Sequence, residues 1–185
     1  MARVRLNETA DLPEDRRWLF ERMEQRGGVL NIFRALSHSP EALRRFMKLG
    51  SYFLDEGKLE PKLRELAILR VGYVCRARYE FAQHVAFARR AGLSDAQIRG
   101  VAEPSAALFD ARELAVLAYA GEMTDTARVS DATYAAVAQS FTAEEIVELT
   151  LVAGYYNMVS RALNALLVDI DAPAARDLAA IDLPL

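Results

Sequence analysis

The chain has 185 residues, of which 52% are hydrophobic and 26% are charged, and its 23 basic and 26 acidic residues give a net charge of −3. This length and composition are typical of a single globular domain with a buried core, and they exclude a disordered or collagen-like chain. One cysteine and two histidines exclude an intrachain disulfide and a Cys/His zinc cluster, so we expect no metal site of that kind.

The charge is unevenly distributed along the chain. Residues 1–90 carry a net charge of +6 and residues 91–185 a net charge of −9. Because no linker separates these halves, the asymmetry indicates two faces of one domain or complementary subunit surfaces. The acidic balance gives no electrostatic basis for binding nucleic acid. We find no apolar signal region and no apolar run that could span a membrane, and we therefore expect a cytoplasmic protein.

Helical periodicity dominates the sequence and strand alternation is absent, which predicts an all-α fold. Pro13, followed by acidic residues, predicts the start of a first helix that ends at Gly27. Ser39 and Pro40 predict the start of another helix, which Gly57 ends. Further helices are predicted over residues 59–75 and over a following segment that ends at residue 91. A capping box at residue 94 starts a short helix, two more are predicted near 110–123 and 130–140, and a capping box at residue 142 starts a long helix that runs to about residue 168.

The segment 59–75 is apolar on most sides of its predicted helix, which indicates burial. The C-terminal helix resembles it when the sequence is shifted by 83 residues, so that Glu65 pairs with Glu148 and Tyr73 with Tyr156. This similarity is a hint of an internal repeat, in which two equivalent buried helices lie at the centre of the fold.

His84 is the first candidate for chemistry, because it lies in an apolar stripe one turn after Glu80. Burial lowers the pKa of a histidine unless a carboxylate restores it. Glu65, on the preceding buried helix, must itself be paired, hydrogen-bonded or protonated. The three residues together would form a proton-transfer site. Alternatively, His84 is a core histidine satisfied by a glutamate, and Glu65 is an ion-pair partner of Arg64, Arg70 or another arginine.

The second candidate is a polar line along the C-terminal helix, at spacings of three and four residues, formed by Thr150, Gly154, Asn157, Arg161 and Asn164. The planar guanidinium of Arg161 suits a substrate carboxylate, with Asn157 and the adjacent Tyr156 as further binding residues. The alternative for Arg161 is a structural ion pair or a subunit contact.

Cys75 is the only thiol and the redox candidate. Arg76 and Arg78 are close in sequence and would favour a reactive thiolate. Cys75 also lies on the apolar stripe of its helix, where a single cysteine usually acts as a small hydrophobic residue.

The chain resembles the carboxymuconolactone decarboxylase and alkylhydroperoxidase D superfamily of all-helical, usually oligomeric proteins. The resemblance is carried by RELAILRVGYVCRARYEFAQHVAFARRAGLSDAQI, by VLNIFRALSHSPEALRRFMKLGSYFL upstream and by EEIVELTLVAGYYNMVSRALNAL downstream, and it covers about residues 28–170. It implies an AhpD-like helical bundle that forms a homo-oligomer, either a trimer or a hexamer.

The peroxidase branch of this superfamily has a glutamate, two redox cysteines and a histidine at fixed spacing. Glu65 and His84 match the glutamate and the histidine, whereas Ala77 and Glu80 stand at the two cysteine positions. A dithiol cycle needs an attacking and a resolving thiol, which this chain lacks. Reduction of a hydroperoxide through Cys75 with an external reductant stays open as an alternative.

The decarboxylase branch, to which the chain is more similar, implies a cofactor-free enzyme acting on a small carboxylated lactone or unsaturated acid. In that case Arg161 would anchor the carboxylate, His84 would donate a proton, and Glu65 or Glu80 would set the protonation state of His84. A further alternative is a non-catalytic binding or scaffold protein, in which these residues form buried polar pairs only.

Overall fold

The computed structural model describes residues 1–183, which fold into ten α-helices without a β-strand, as predicted. The helices are α1 (Trp18–Glu24), α2 (Asn31–Leu36), α3 (Pro40–Ser51), α4 (Pro61–Val74), α5 (Arg78–Arg90), α6 (Asp95–Gly100), α7 (Ala111–Thr126), α8 (Asp131–Ala138), α9 (Ala143–Leu166) and α10 (Ala172–Ile181). A π-helical turn over Tyr52–Glu56 extends α3. No helix of residues 1–183 is both long and apolar enough to cross a membrane.

Local sequence signals account for several helix boundaries. The predicted capping boxes are present, with the Ser94 hydroxyl accepting the Gln97 N–H and the Thr142 hydroxyl accepting the Glu145 N–H, each at 3.2 Å. Ser39 stands before α3 as predicted, but its side chain makes no capping hydrogen bond.

The structure differs from the prediction at both ends of the chain. The first α-helix begins at Trp18 and not at Pro13, because the intervening residues form a short 3-10 turn over Glu14–Arg16. Neither α2 nor α10 was predicted from the sequence. Helix α2 has only six residues, too few for a periodic pattern. Helix α10 has Pro173 in its first turn, where proline is tolerated, whereas the sequence alone indicated a break at this proline.

Helix α4 lies at the centre of the fold and packs against α5, α7 and α9. Its apolar side chains are almost completely buried on several faces, as the sequence indicated. The two helices related by the repeat, α4 and α9, lie side by side. Helices α4 and α5 pack against each other at Gly72, where a Cβ would lie in van der Waals contact with the Phe81 nitrogen, at 3.4 Å.

The N-terminal segment has a small hydrophobic core of its own, formed by Leu12, Leu19, Phe20, Val29 and Leu43. We call residues 12–56 the cap. Side chains on the inner side of the cap face α5 and α9 across a cavity. The cap therefore forms one wall of that cavity, and the main helical bundle forms the other.

Candidate functional site

The structure brings Glu65, Glu80 and His84 together between α4 and α5. The His84 Nδ1 lies 2.7 Å from Oε2 of Glu65, and its Nε2 lies 3.1 Å from Oε1 of Glu80. Arg64 completes the cluster, with its Nε 3.3 Å from Oε1 of Glu65. Two cationic and two acidic side chains thus alternate in one line of contacts. No metal-binding group of three or more His, Cys, Asp and Glu residues occurs within residues 1–183.

All four side chains are withdrawn from solvent, with Glu65 0%, Glu80 4%, His84 6% and Arg64 8% exposed. Burial lowers the pKa of His84, but the negative charge of Glu65, the hydrogen bond to Glu65 and the contacts with Glu80 outweigh it and raise this pKa to about 10. His84 is therefore an imidazolium at neutral pH, and both of its ring nitrogens carry protons.

Glu80 and His84 lie on the wall of a cavity of about 180 Å³. The remaining wall is mostly apolar and aromatic, with Phe33, Phe46 and Met47 from the cap, Phe87 from α5, and Tyr155 and Tyr156 from α9. The described side chains that line this cavity include no lysine and no arginine. The cavity therefore combines an apolar interior with one carboxyl group, that of Glu80, and one imidazolium, that of His84.

Aromatic side chains hold the imidazolium in place. The Tyr156 ring meets the His84 ring edge-on at 4.9 Å, and the Phe87 ring lies 5.2 Å from it. Burial and the nearby Glu80 raise the pKa of Tyr156 well above its ordinary value, so its hydroxyl keeps its proton. Tyr155 donates its hydroxyl hydrogen to the Phe46 carbonyl oxygen at 3.0 Å and so connects α9 to the cap.

A second set of polar contacts connects the cap to α5. Asp171 accepts hydrogen bonds from the Tyr79 hydroxyl at 2.5 Å, from the Gln83 amide at 2.7 Å and from the Asn31 backbone N–H at 3.2 Å. The Tyr79 oxygen accepts the Ile32 N–H at 3.1 Å. No sequence pattern indicated this role of Asp171, which lies just before the unpredicted α10.

Comparison with known proteins places this site in a wider group. Residues 40–122, which include all four clustered side chains, match the Carboxymuconolactone decarboxylase family. The AhpD-core structure of a peroxidase-related protein from Ralstonia eutropha superposes with a TM-score of 0.82, at 21% identity and 94% coverage of each chain. A peroxidase-related protein from Silicibacter sp. gives a TM-score of 0.79, at 23% identity and 92% coverage of each chain. Residues 40–122 are therefore similar to the Carboxymuconolactone decarboxylase family, and the superpositions show that the chain has an AhpD-like fold.

Another protein with this fold is named for a different reaction, debromination. The debrominase Bmp8, as a variant in complex with 2,3,4-tribromopyrrole, superposes with a TM-score of 0.82 at 19% identity, covering 98% of this chain and 100% of that one. No curated protein matches the chain significantly. At these identities the superpositions establish the AhpD-like fold and leave the reaction open.

Arg161 and Asn157, expected to bind a substrate carboxylate, lie away from the cavity that holds His84. Arg161 donates to Oδ1 of Asn157 and, at 3.3 Å, to the Thr124 carbonyl oxygen, while Asn157 donates to the Thr124 hydroxyl at 2.9 Å. The polar line on α9 therefore faces α7. The structure does not bring Arg161 together with His84, whereas Tyr156, on another side of α9, does line the cavity.

Cys75 lies at the C-terminal end of α4 and is partly buried. Its Sγ is 3.7 Å from Oδ1 of Asn157, on the Arg161 side of α9, and it does not line the cavity that holds His84. Burial raises the pKa of the Cys75 thiol, and the nearby charge of Arg161 offsets this only in part. Its surroundings therefore disfavour the thiolate that redox chemistry requires.

Proposed function

We propose that the protein is a cofactor-free enzyme that transfers a proton on a small, uncharged substrate by general acid/base catalysis at Glu80 and His84. The observation that carries the proposal is the 3.1 Å contact between an imidazolium and a carboxylate on the wall of an apolar cavity. An acid and a base at this distance can act on two neighbouring atoms of one substrate. The match of residues 40–122 to the Carboxymuconolactone decarboxylase family supports an enzymatic role.

The geometry suggests a role for each residue. The Nε2–H of His84, which contacts Glu80 in the free protein, would donate a hydrogen bond to the carbonyl oxygen of the substrate, where negative charge develops as an enolate forms, and Glu80 would be released to act as the base. Glu80 would take a proton from the α carbon of the carbonyl compound, or from the γ carbon of an α,β-unsaturated one, and return it to the other of these two carbons, which isomerises the substrate without a change in oxidation state. Glu65 holds the imidazolium through Nδ1, and the Tyr156 hydroxyl is a further donor near the oxygen.

The cavity supports an uncharged substrate. Its volume of about 180 Å³ is below the range of roughly 300–1,000 Å³ typical of drug-sized ligands. A substrate carboxylate would lie near Glu80, and the charged cluster of Arg64, Glu65, Glu80 and His84 already balances itself. Buried charges need partners, and the described residues of the cavity wall offer no further cation. A small unsaturated lactone or cyclic ketone fits these conditions.

Decarboxylation of a carboxylated lactone or unsaturated acid is the second candidate, and the family match favours it. In that reaction the carbon–carbon bond to the carboxylate would break, carbon dioxide would leave, and the His84 imidazolium would deliver a proton to the resulting dienolate. The position of Arg161 outside the cavity leaves the substrate carboxylate without the anchor expected from the sequence.

The experiment uses β-angelica lactone and its analogue with a carboxyl group in place of the methyl group, so that loss of carbon dioxide would leave a dienolate. In deuterated water, NMR should show enzyme-catalysed incorporation of deuterium into β-angelica lactone. General acid/base catalysis typically contributes about 10²–10⁴-fold, so Glu80→Gln should slow the exchange by at least about 100-fold. Release of carbon dioxide from the analogue would favour decarboxylation instead.

A matched control separates catalysis from buried charge. Glu148 is a buried carboxylate on α9, at the position equivalent to Glu65 in the repeat, and it contacts backbone N–H groups and the Tyr52 hydroxyl outside the cavity. Glu148→Gln should leave the exchange rate unchanged. An exchange rate in Glu80→Gln equal to that of Glu148→Gln would contradict the proposal.

A thiol-dependent hydroperoxide reductase is the remaining enzymatic alternative, favoured by the structural neighbours named as peroxidase-related. The Cys75 thiolate would attack the hydroperoxide, release an alcohol and become a sulfenic acid, which two molecules of an external thiol would reduce. We expect no consumption of cumene hydroperoxide beyond the dithiothreitol background. Consumption that is lost in Cys75→Ser would support this alternative.

A further inference from the structure

Arg64 makes contacts in two directions from the first turn of α4. Its Nη1 donates hydrogen bonds to the carbonyl oxygens of Phe53 at 3.1 Å and Leu54 at 3.2 Å, both in the cap. Its Nε lies 3.3 Å from Oε1 of Glu65, the carboxylate that holds His84. One buried guanidinium therefore touches both the cap and the acid/base cluster.

The carbonyl groups that Arg64 binds are available because of the local backbone. Phe53 and Leu54 lie in the π-helical turn that ends α3, and the last carbonyl groups of a helix lack partners within the helix. Turns of this kind occur frequently at functional sites. Leu54 also lines the cavity, so these hydrogen bonds fix part of its wall.

We propose that Arg64 is a positioning residue, whose planar guanidinium fixes Glu65 against His84 and ties this pair to the cavity wall at Leu54. An unbroken line of contacts runs from Leu54 through Arg64, Glu65 and His84 to Glu80. A substrate that presses on Leu54 thereby acts on the orientation of the imidazolium. This inference rests on the proposed proton-transfer function. It adds Arg64 as the residue through which a substrate in the cavity affects the acid/base cluster.

The charges around the cluster give the expected direction of the pH effect. The titratable groups that face it are Glu65 on α4, Glu80 on α5, and Tyr155 and Tyr156 on α9, with Arg64 and His84 as the cations. Loss of the guanidinium leaves His84 as the only cation beside two carboxylates. The cluster would then hold its proton more tightly, and the acid limb of the pH–rate profile would move to higher pH.

The test compares Arg64→Met with Arg70→Met. Arg70 lies on the same helix and likewise donates through Nη1 to two backbone carbonyl oxygens, those of Val101 at 2.7 Å and Ala102 at 2.9 Å. Among residues 1–183 it makes no hydrogen bond or ion pair with a carboxylate. Both variants lose the same kind of structural support. A purely structural role for Arg64 therefore predicts the same outcome for both.

The exchange kinetics and the NMR spectrum of His84 distinguish a positioning role of Arg64 from a purely structural one. In Arg64→Met, we expect the exchange of β-angelica lactone to fall at least tenfold, its acid limb to move to higher pH, and the His84 Nδ1 proton to shift downfield in the NMR spectrum. Arg70→Met should keep the wild-type rate, profile and spectrum. Arg64→Lys, which keeps the charge but loses the planar fork, should recover the rate only in part.

The spectrum of His84 tests the positioning role even if the wild-type protein does not exchange the lactone, a result that would count against the proposed function alone. A His84 spectrum in Arg64→Met identical to that of the wild-type protein would overturn the positioning role. If Arg64→Met does not fold, Arg64→Lys decides the question, because a wild-type rate and a wild-type His84 spectrum in that variant would show that the fork contributes nothing.

Discussion

Replacing Glu65 by glutamine tests the buried charge cluster with the smallest change of shape. Glu65 is completely buried, and its two oxygens face His84 at 2.7 Å and Arg64 at 3.3 Å. Glutamine would leave two buried cations beside the single carboxylate of Glu80. Removing one partner of a buried ion pair costs about 3–5 kcal/mol, a large part of a total stability of roughly 5–15 kcal/mol.

Glu148→Gln provides the matched control for stability as well. Glu148 is 4% exposed and accepts the backbone N–H of Lys58 at 2.5 Å, the backbone N–H of Leu59 at 2.8 Å and the Tyr52 hydroxyl at 2.8 Å. No cation would be left without a partner there. We expect a smaller loss, of about 1–3 kcal/mol, from the imperfect hydrogen bonds of the amide.

The pH dependence gives the Glu65→Gln prediction its sign. The pKa of His84 is raised from 6.5 to about 10, so its contribution to folding is fully present below pH 6.5 and is lost as the pH rises through 10. The slope between these values is about 1.4 kcal/mol per pH unit. In Glu65→Gln the main cause of the raised pKa is gone, so this slope should largely disappear.

Urea denaturation followed by circular dichroism should therefore show a gap between the wild-type protein and Glu65→Gln that narrows from about pH 6.5 to about pH 9.5. A gap that stays constant over this range, or a loss no larger than that of Glu148→Gln, would refute the assignment of His84 as a buried imidazolium held by Glu65.

Three further predictions concern the surroundings of the cluster. Gly50→Ala would place a Cβ 2.6 Å from the Tyr155 hydroxyl oxygen, and such overpacking should cost about 1–3 kcal/mol in thermal denaturation; an unchanged midpoint would contradict the tight contact. Asp171→Asn removes the charged acceptor of Tyr79 and should loosen the cap, seen as faster limited proteolysis near residues 27–28; cleavage at the wild-type rate would contradict this role. Cys75 should react slowly with a thiol reagent at neutral pH because burial raises its pKa, and rapid labelling of the folded protein would show that the thiol is accessible and ionised.

The acid/base cluster could be predicted from the sequence because its geometry is mostly local. Glu80 and His84 are four residues apart on one helix, so regular helical geometry places them together. Glu65 lies in a helix that is apolar on most sides, which left burial as the expected outcome. A contact of His84 with either glutamate is compatible with both a structural and a catalytic role, and helical spacing does not distinguish the two roles. The cavity beside Glu80 is what favours catalysis.

The position of Arg161 could not be predicted in the same way. Helical spacing showed that Arg161 and Asn157 share one face of α9, but not which helix that face meets. That face meets Thr124 on α7, while the aromatic side of α9 faces the cap. The walls of the cavity come from residues 30–54, from α5 and from α9. Their arrangement depends on tertiary contacts such as those of Asp171, and no short sequence pattern predicts such contacts.

The central claim is that a charged His84 meets the substrate inside the cavity, and NMR of the nitrogen-labelled protein tests it most directly. At about pH 8, where an ordinary histidine is neutral, both ring nitrogens of His84 should be protonated. Addition of β-angelica lactone should shift the Nε2 signal, which faces Glu80 and the cavity, more than the Nδ1 signal, which faces Glu65. A neutral imidazole at this pH, or an Nε2 signal that does not respond to saturating lactone, would contradict the account.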